Sequence, residues 1–184
     1  ALDHQNIVHL YNFGQENGSF VLAMQFVEGR TWERLILERE RLDWKLSCRV
    51  AIDVLKALEY AHGRGVIHRD MKPSNVLVVE DGPRVIDFGI ASGVSNTRLT
   101  MTNVAVGTPA YMSPEQARDS RSVTGASDIF SLGSTLVFAA TGHAPYRGAN
   151  PVETVFMLLR ESPDLSGLPD DLRPLIDSCM QTDP

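Results

Sequence analysis

The 184-residue chain (20.3 kDa) is 43% hydrophobic and 22% charged, an ordinary globular composition that excludes a disordered chain and suffices to bury one sizeable core. Its 17 Lys and Arg against 23 Asp and Glu leave a net charge of −6 with no basic run, which excludes nucleic acid as a primary partner. Cys48 and Cys179 stand far apart with no CxxC or His neighbour, a pattern that argues against a disulfide framework or a zinc site and suits a reducing compartment.

The N-terminus, Ala1-Leu2-Asp3-His4, has neither the basic nor the apolar stretch of a signal peptide, and it lacks an initiator Met, as expected of a chain cut from something longer. Ile7 to Tyr11 and Phe20 to Val27 are short β-rich runs around a Gly- and Asn-containing turn, and predict an antiparallel pair. Thr31 to Arg41 reads as a charged helix. Asp43 is a good N-cap for a strong helix from Trp44 to His62, with Leu46, Val50, Val54, Leu58 and Ala61 on one apolar face and Gly63 and Gly65 as stop signals.

Val76 to Val79 and Arg84 to Ile86 predict two short strands joined across Glu80-Asp81-Gly82-Pro83. Residues 88 to 127 show no periodicity and are rich in Ser, Thr, Gly and Pro, so they read as a long functional loop. Ile129 to Tyr146 carries no formal charge, but its Ser, Thr, Gly and Pro content is too polar for lipid; it predicts a helix at the centre of a soluble domain and no membrane segment. Asn150-Pro151-Val152-Glu153 marks another helix start, and a last helix begins near Asp170 and runs towards Met180.

The chemistry is concentrated in His68-Arg69-Asp70-Met71-Lys72-Pro73-Ser74-Asn75. This stretch resembles the catalytic loop of the protein kinases, HRDxKPxN, whose six fixed positions match by chance about once in 10⁷ to 10⁸ starts on average residue usage. Asp87-Phe88-Gly89, Gly107-Thr108-Pro109 and Ser113-Pro114-Glu115 follow in the family's order. Ala1 to Val8 is similar to the family's LxHPNIV segment, with Gln5 in place of Pro, and Phe20 to Gly29 to the strand and hinge that follow it. The resemblance implies an α+β, protein kinase-like fold: a mainly helical C-lobe with remnant N-lobe strands, the family's fourth and fifth. Residues 1–29 would be the end of the N-lobe and hinge, and residues 30–184 a C-lobe truncated before its end.

The implied activity is transfer of the ATP γ-phosphate to Ser or Thr hydroxyls of a protein substrate, with Mg²⁺. Asp70 would accept the proton of the attacking hydroxyl. Lys72, typical of Ser/Thr rather than Tyr kinases, would place a cation beside the transferring phosphate, and Asn75 and Asp87 would bind Mg²⁺. Met24 would be the gatekeeper, and the backbone of Gln25 and Val27 would bond adenine. His68 and Phe88 would stack in the apolar spine that links the lobes, with Leu10 a third member and Gly89 closing the motif. Asp128 would brace the catalytic-loop backbone from the core, accepting N–H groups because a buried charge is costly otherwise; its other reading is an exposed N-cap.

The segment from Asp87 to Glu115 resembles the activation segment. Arg69 marks kinases switched by phosphorylation, and Thr100 and Thr102 sit where bacterial relatives carry a Thr-x-Thr autophosphorylation pair, with Ser92, Ser95 and Thr97 as competitors. Thr108 would line the substrate P+1 site. The Gly-rich loop, the V-A-I-K lysine and the N-lobe helix glutamate are missing from the sequence, as is the usual Arg partner of Glu115, so these residues alone are expected to transfer no phosphate. The implied setting is the cytoplasm, with homodimerisation for autophosphorylation and a membrane anchor in the parent left open. A pseudokinase scaffold or a small-molecule phosphotransferase of related fold is the alternative.

Overall fold

The computed structural model describes residues 2–17, 19–88 and 109–183. Two strands come first, β1 (Leu10–Glu16) and β2 (Ser19–Met24), paired antiparallel with a bulge between Leu10 and Asn12. The first strand therefore starts three residues later than expected and runs on to Glu16, followed by Asn17 at φ 50°. Ile7 does not join that pair but bridges Val85 in parallel: the Val8 amide donates to the Val85 carbonyl (2.9 Å) and the Val85 amide to the Asn6 carbonyl (2.8 Å). Hydrophobic alternation alone does not say which partner an extended run will find.

A second, three-stranded sheet has the order β3 (Arg30–Thr31), β4 (Val76–Val79), β5 (Gly82–Val85), all antiparallel. Helix α1 (Trp32–Arg39) begins where the Thr31 hydroxyl accepts the Arg34 amide, and it buries Trp32 and Ile36. Helix α2 (Trp44–His62) has the expected bounds, capped by the Asp43 carboxylate on the Leu46 amide at 3.0 Å. Its buried face is rotated from the expected one. Leu46 is 48% exposed and Val50 half-buried, whereas Ser47, Ala51, Val54, Ala57, Leu58 and Ala61 are buried. Small residues on that face let the next long helix approach closely, and Leu46 and Val50 instead line a surface groove with Val78 and Val79.

Two short helical turns, Pro109–Tyr111 and Ser120–Ser122, and helix α3 (Pro114–Arg118) occupy part of the stretch expected to be loop. A five-residue helix is too short to show a period, although its Ser113 cap and Pro114 are visible in the sequence. Helix α4 (Gly125–Thr141) is the predicted central helix, starting four residues before Ile129 and ending five before Tyr146, and it is buried from Phe130 to Ala140. Two of its buried hydroxyls, those of Ser131 and Thr135, are satisfied by donating to carbonyls one turn back, at 3.0 and 2.9 Å. Gly133 allows α6 (Arg173–Cys179) against it: a Cβ there would lie 2.8 Å from that of Cys179. Helix α5 (Pro151–Arg160) starts on the Asn150 cap as expected. Among the described residues no helix is long and apolar enough to cross a membrane.

Candidate active site

The segment between α2 and β4 is fastened from beneath by one carboxylate. Asp128, in the first turn of α4, is fully buried and accepts the His68 amide at 2.9 Å and the Arg69 amide at 2.8 Å. This is the backbone bracing expected of it rather than the exposed cap. A third partner was not foreseen: the His62 ring, at the end of α2, meets the same carboxylate through Nε2 at 2.7 Å. Three such bonds offset the cost of burying the charge. His62 reads in sequence only as the last residue before a glycine stop.

Arg69 lies at φ 69°, an uncommon conformation for a non-glycine residue that surrounding contacts must hold. Its amide is held by Asp128, and its carbonyl accepts from Gln116 Nε2 of α3 at 2.6 Å. His68 is buried; its Nδ1 accepts the Asp70 amide at 3.2 Å, so the other ring nitrogen, Nε2, carries the hydrogen and donates to the Ile86 carbonyl at 2.8 Å. Burial pulls the His68 pKa below its usual value, only partly opposed by the Ile86 bond and by the Asp128, Asp70 and Asp87 carboxylates. Phe88 packs edge-on against the ring with centroids 4.7 Å apart.

Asp70 is about half-exposed, and its Oδ2 accepts from Lys72 Nζ at 2.7 Å. Asn75, buried beneath it, directs Nδ2 to the Asp70 carbonyl (2.7 Å) and to Oδ2 (3.2 Å). The hairpin explains how Asp87 joins them. Val76 opposes Val85 in the β4–β5 ladder, and the Ile86 amide donates to the Asn75 carbonyl at 3.0 Å, so the residues just outside the two strands lie at the same end. Asp87, exposed and at φ 63°, comes next. Asp70, Lys72 and Asn75 thus form one hydrogen-bonded cluster with Asp87 delivered beside it.

Met24, at the end of β2, lines a cavity of about 150 Å³ with Leu10, Val66, Val85, Asp87 and Phe88. Gln25 and Val27 line a different depression, with Asp81 and Arg84, and the Gln25 amide is committed to the His9 carbonyl at 2.8 Å. Glu115 is buried and not left without a partner: its Oε1 accepts the Ser127 hydroxyl at 2.5 Å, which ties α3 to α4. Gly89, Thr100, Thr102 and Thr108 lie outside the described residues, as do Ser92, Ser95 and Thr97.

Comparison with known proteins agrees with this arrangement. The family described as protein kinase domain matches residues 1–184. The chain is 74% identical over 162 residues to the serine/threonine-protein kinase AfsK of Streptomyces griseus, covering 88% of this chain and 20% of that protein. The AfsK of Streptomyces coelicolor is 72% identical over 160 residues, covering 87% and 20%. The serine/threonine-protein kinase PrkC of Bacillus subtilis is 39% identical over 153 residues, covering 83% and 24%. The chain spans about a fifth of the length of these two AfsK relatives.

Proposed function

The chain belongs to the protein kinase family, and from that premise we propose that it forms the hinge and C-lobe of a Ser/Thr protein kinase: residues 1–29 the end of the N-lobe, residues 30–184 the C-lobe. The observation that carries this reading is the cluster of Asp70, Lys72 and Asn75 with Asp87 at the adjoining hairpin end. ATP and a divalent ion are typical of the family. The donor set suits magnesium, which takes hard oxygen ligands, commonly one or two from the protein. Asn75 has its nitrogen committed to Asp70, leaving Oδ1 for an ion, and Asp87 offers an exposed carboxylate. Among the described residues there is no cluster of three or more His, Cys, Asp or Glu that would favour a fuller protein cage. Bound Mg²⁺ would neutralise phosphate charge in the loose transition state.

The substrate hydroxyl approaches Asp70, which takes its proton as the new O–P bond forms and the bond to the ADP oxygen breaks. Lys72, anchored on Asp70, sets a cation where the transferring phosphate is most negative. Adenine would be held by the Gln25 carbonyl and the Val27 amide, with the Met24 gatekeeper lining the separate cavity that Asp87 also lines. Thr100 and Thr102 are the proposed regulatory phosphate acceptors, with Arg69 as their partner, and Thr108 the proposed P+1 residue. An ATP-using enzyme with free Cys48 and Cys179 fits a reducing cytoplasm.

In the full-length protein, Asp70→Asn should lower kcat by about 10²-fold or more while the KM for ATP changes little. Phosphotransfer by that variant at the wild-type rate would remove Asp70 from its role.

A further inference from the structure

Gln116 uses both ends of one amide. Its Oε1 accepts the Ser113 amide and the Ser113 hydroxyl, each at 3.1 Å, closing the capping box that starts α3. Its Nε2 donates to the Arg69 carbonyl, 47 residues earlier in the chain, at 2.6 Å. The reverse orientation would set NH₂ against the Ser113 amide and oxygen against a carbonyl, so the network fixes the amide. A capping box needs only an acceptor at this position, and Glu serves it as well as Gln. The donor end therefore has its use at the catalytic loop.

There it acts on the peptide between Arg69 and Asp70. The oxygen of that peptide is held by Gln116, and its N–H, on Asp70, by His68 Nδ1 at 3.2 Å. With the Arg69 amide on Asp128, the strained turn at φ 69° is gripped on both sides, and the direction in which the Asp70 side chain leaves the backbone is set. We propose that Gln116 is a positioning residue for Asp70, orienting the proton acceptor through the Arg69–Asp70 peptide and coupling the start of α3 to it. The inference rests on the reading of Asp70 given above.

A cavity of about 30 Å³, lined by Arg69, Asp70, Met71, Tyr111, Gln116 and Ser131, adjoins the clamp and has room for a water. Truncation to Ala would let water replace the lost donor, so Gln116→Glu is the sharper variant: it keeps the cap and removes the clamp. Ser113→Ala does the opposite. In the full-length protein, Gln116→Glu should lower kcat ~10- to 100-fold with the KM for ATP within about twofold, because misplacing a reacting group is that costly. Amide exchange at Asp70 should speed up about tenfold. Ser113→Ala should lower the melting temperature and keep kcat within about twofold. Should Gln116→Glu fail to fold, Gln116→Met keeps the length, loses both functions, and is expected to show both effects.

The proposal is overturned if Gln116→Glu retains wild-type kcat, or if Ser113→Ala loses as much kcat as Gln116→Glu. A wild-type protein that transfers no phosphate would instead sink the reading of Asp70. Exchange at the Asp70 amide then judges the clamp alone, and unchanged protection in Gln116→Glu overturns it.

Discussion

At His68 one ring satisfies three neighbours: the Ile86 carbonyl, the Asp70 amide and the edge of Phe88. The arrangement works only for a neutral imidazole, since Nδ1 must accept. Burial favours that form by lowering the pKa from its usual 6.5. The unfolded chain therefore takes up a proton in acid that the folded chain refuses, so stability is level above about pH 6.5 and falls below it. The urea midpoint is expected to drop between pH 7.5 and 5.5, and to drop less in His68→Gln; equal slopes for the two proteins would contradict the assignment. The bracing role of Asp128 was legible from the family resemblance of its segment, and that of His68 from the motif it opens. His62 and Gln116 were not, because each acts through a partner 66 or 47 residues away.

The helices show the same division. The bounds of α2 and the start of α5 follow from local signals: a carboxylate or amide cap, a proline at the first position, and no breaker within. The face that α2 buries follows from its neighbour instead, and the small residues win over Leu46 and Val50 because they admit α4. The end of α4 is set by Gly142, left-handed at φ 83°, whose amide returns to the Phe138 carbonyl at 2.8 Å. A Cβ there would also run into the Glu40 carbonyl. Gly142→Ala should cost about 2 kcal/mol or more, combining left-handed strain with that clash. Thermal unfolding measures it, and an unchanged melting temperature would show that the loop after α1 yields freely.

At the scale of the described residues, α2, the loop that opens at His68 and α4 meet at the Asp128 carboxylate. Its removal leaves one buried amide, one part-buried amide and a histidine without their acceptor, so Asp128→Ala should lose on the order of 3–5 kcal/mol in urea unfolding. A loss under about 1 kcal/mol, the range of an ordinary exposed contact, would mean that water reaches those amides. The stretch from Asp87 to Glu115 is tied separately at its two described ends: Phe88 to His68, and the start of α3 to Arg69 and Ser127.

The residue order alone determined the family and most helix starts, because caps, breakers and a fixed motif act over a few neighbouring residues. Tertiary structure decided what lies far apart in the chain: that residues 6–8 pair with β5, that α2 turns its small residues inward, and that one glutamine amide reaches the peptide of Asp70. Those outcomes depend on which surfaces meet when the core closes, and no local pattern encodes that meeting.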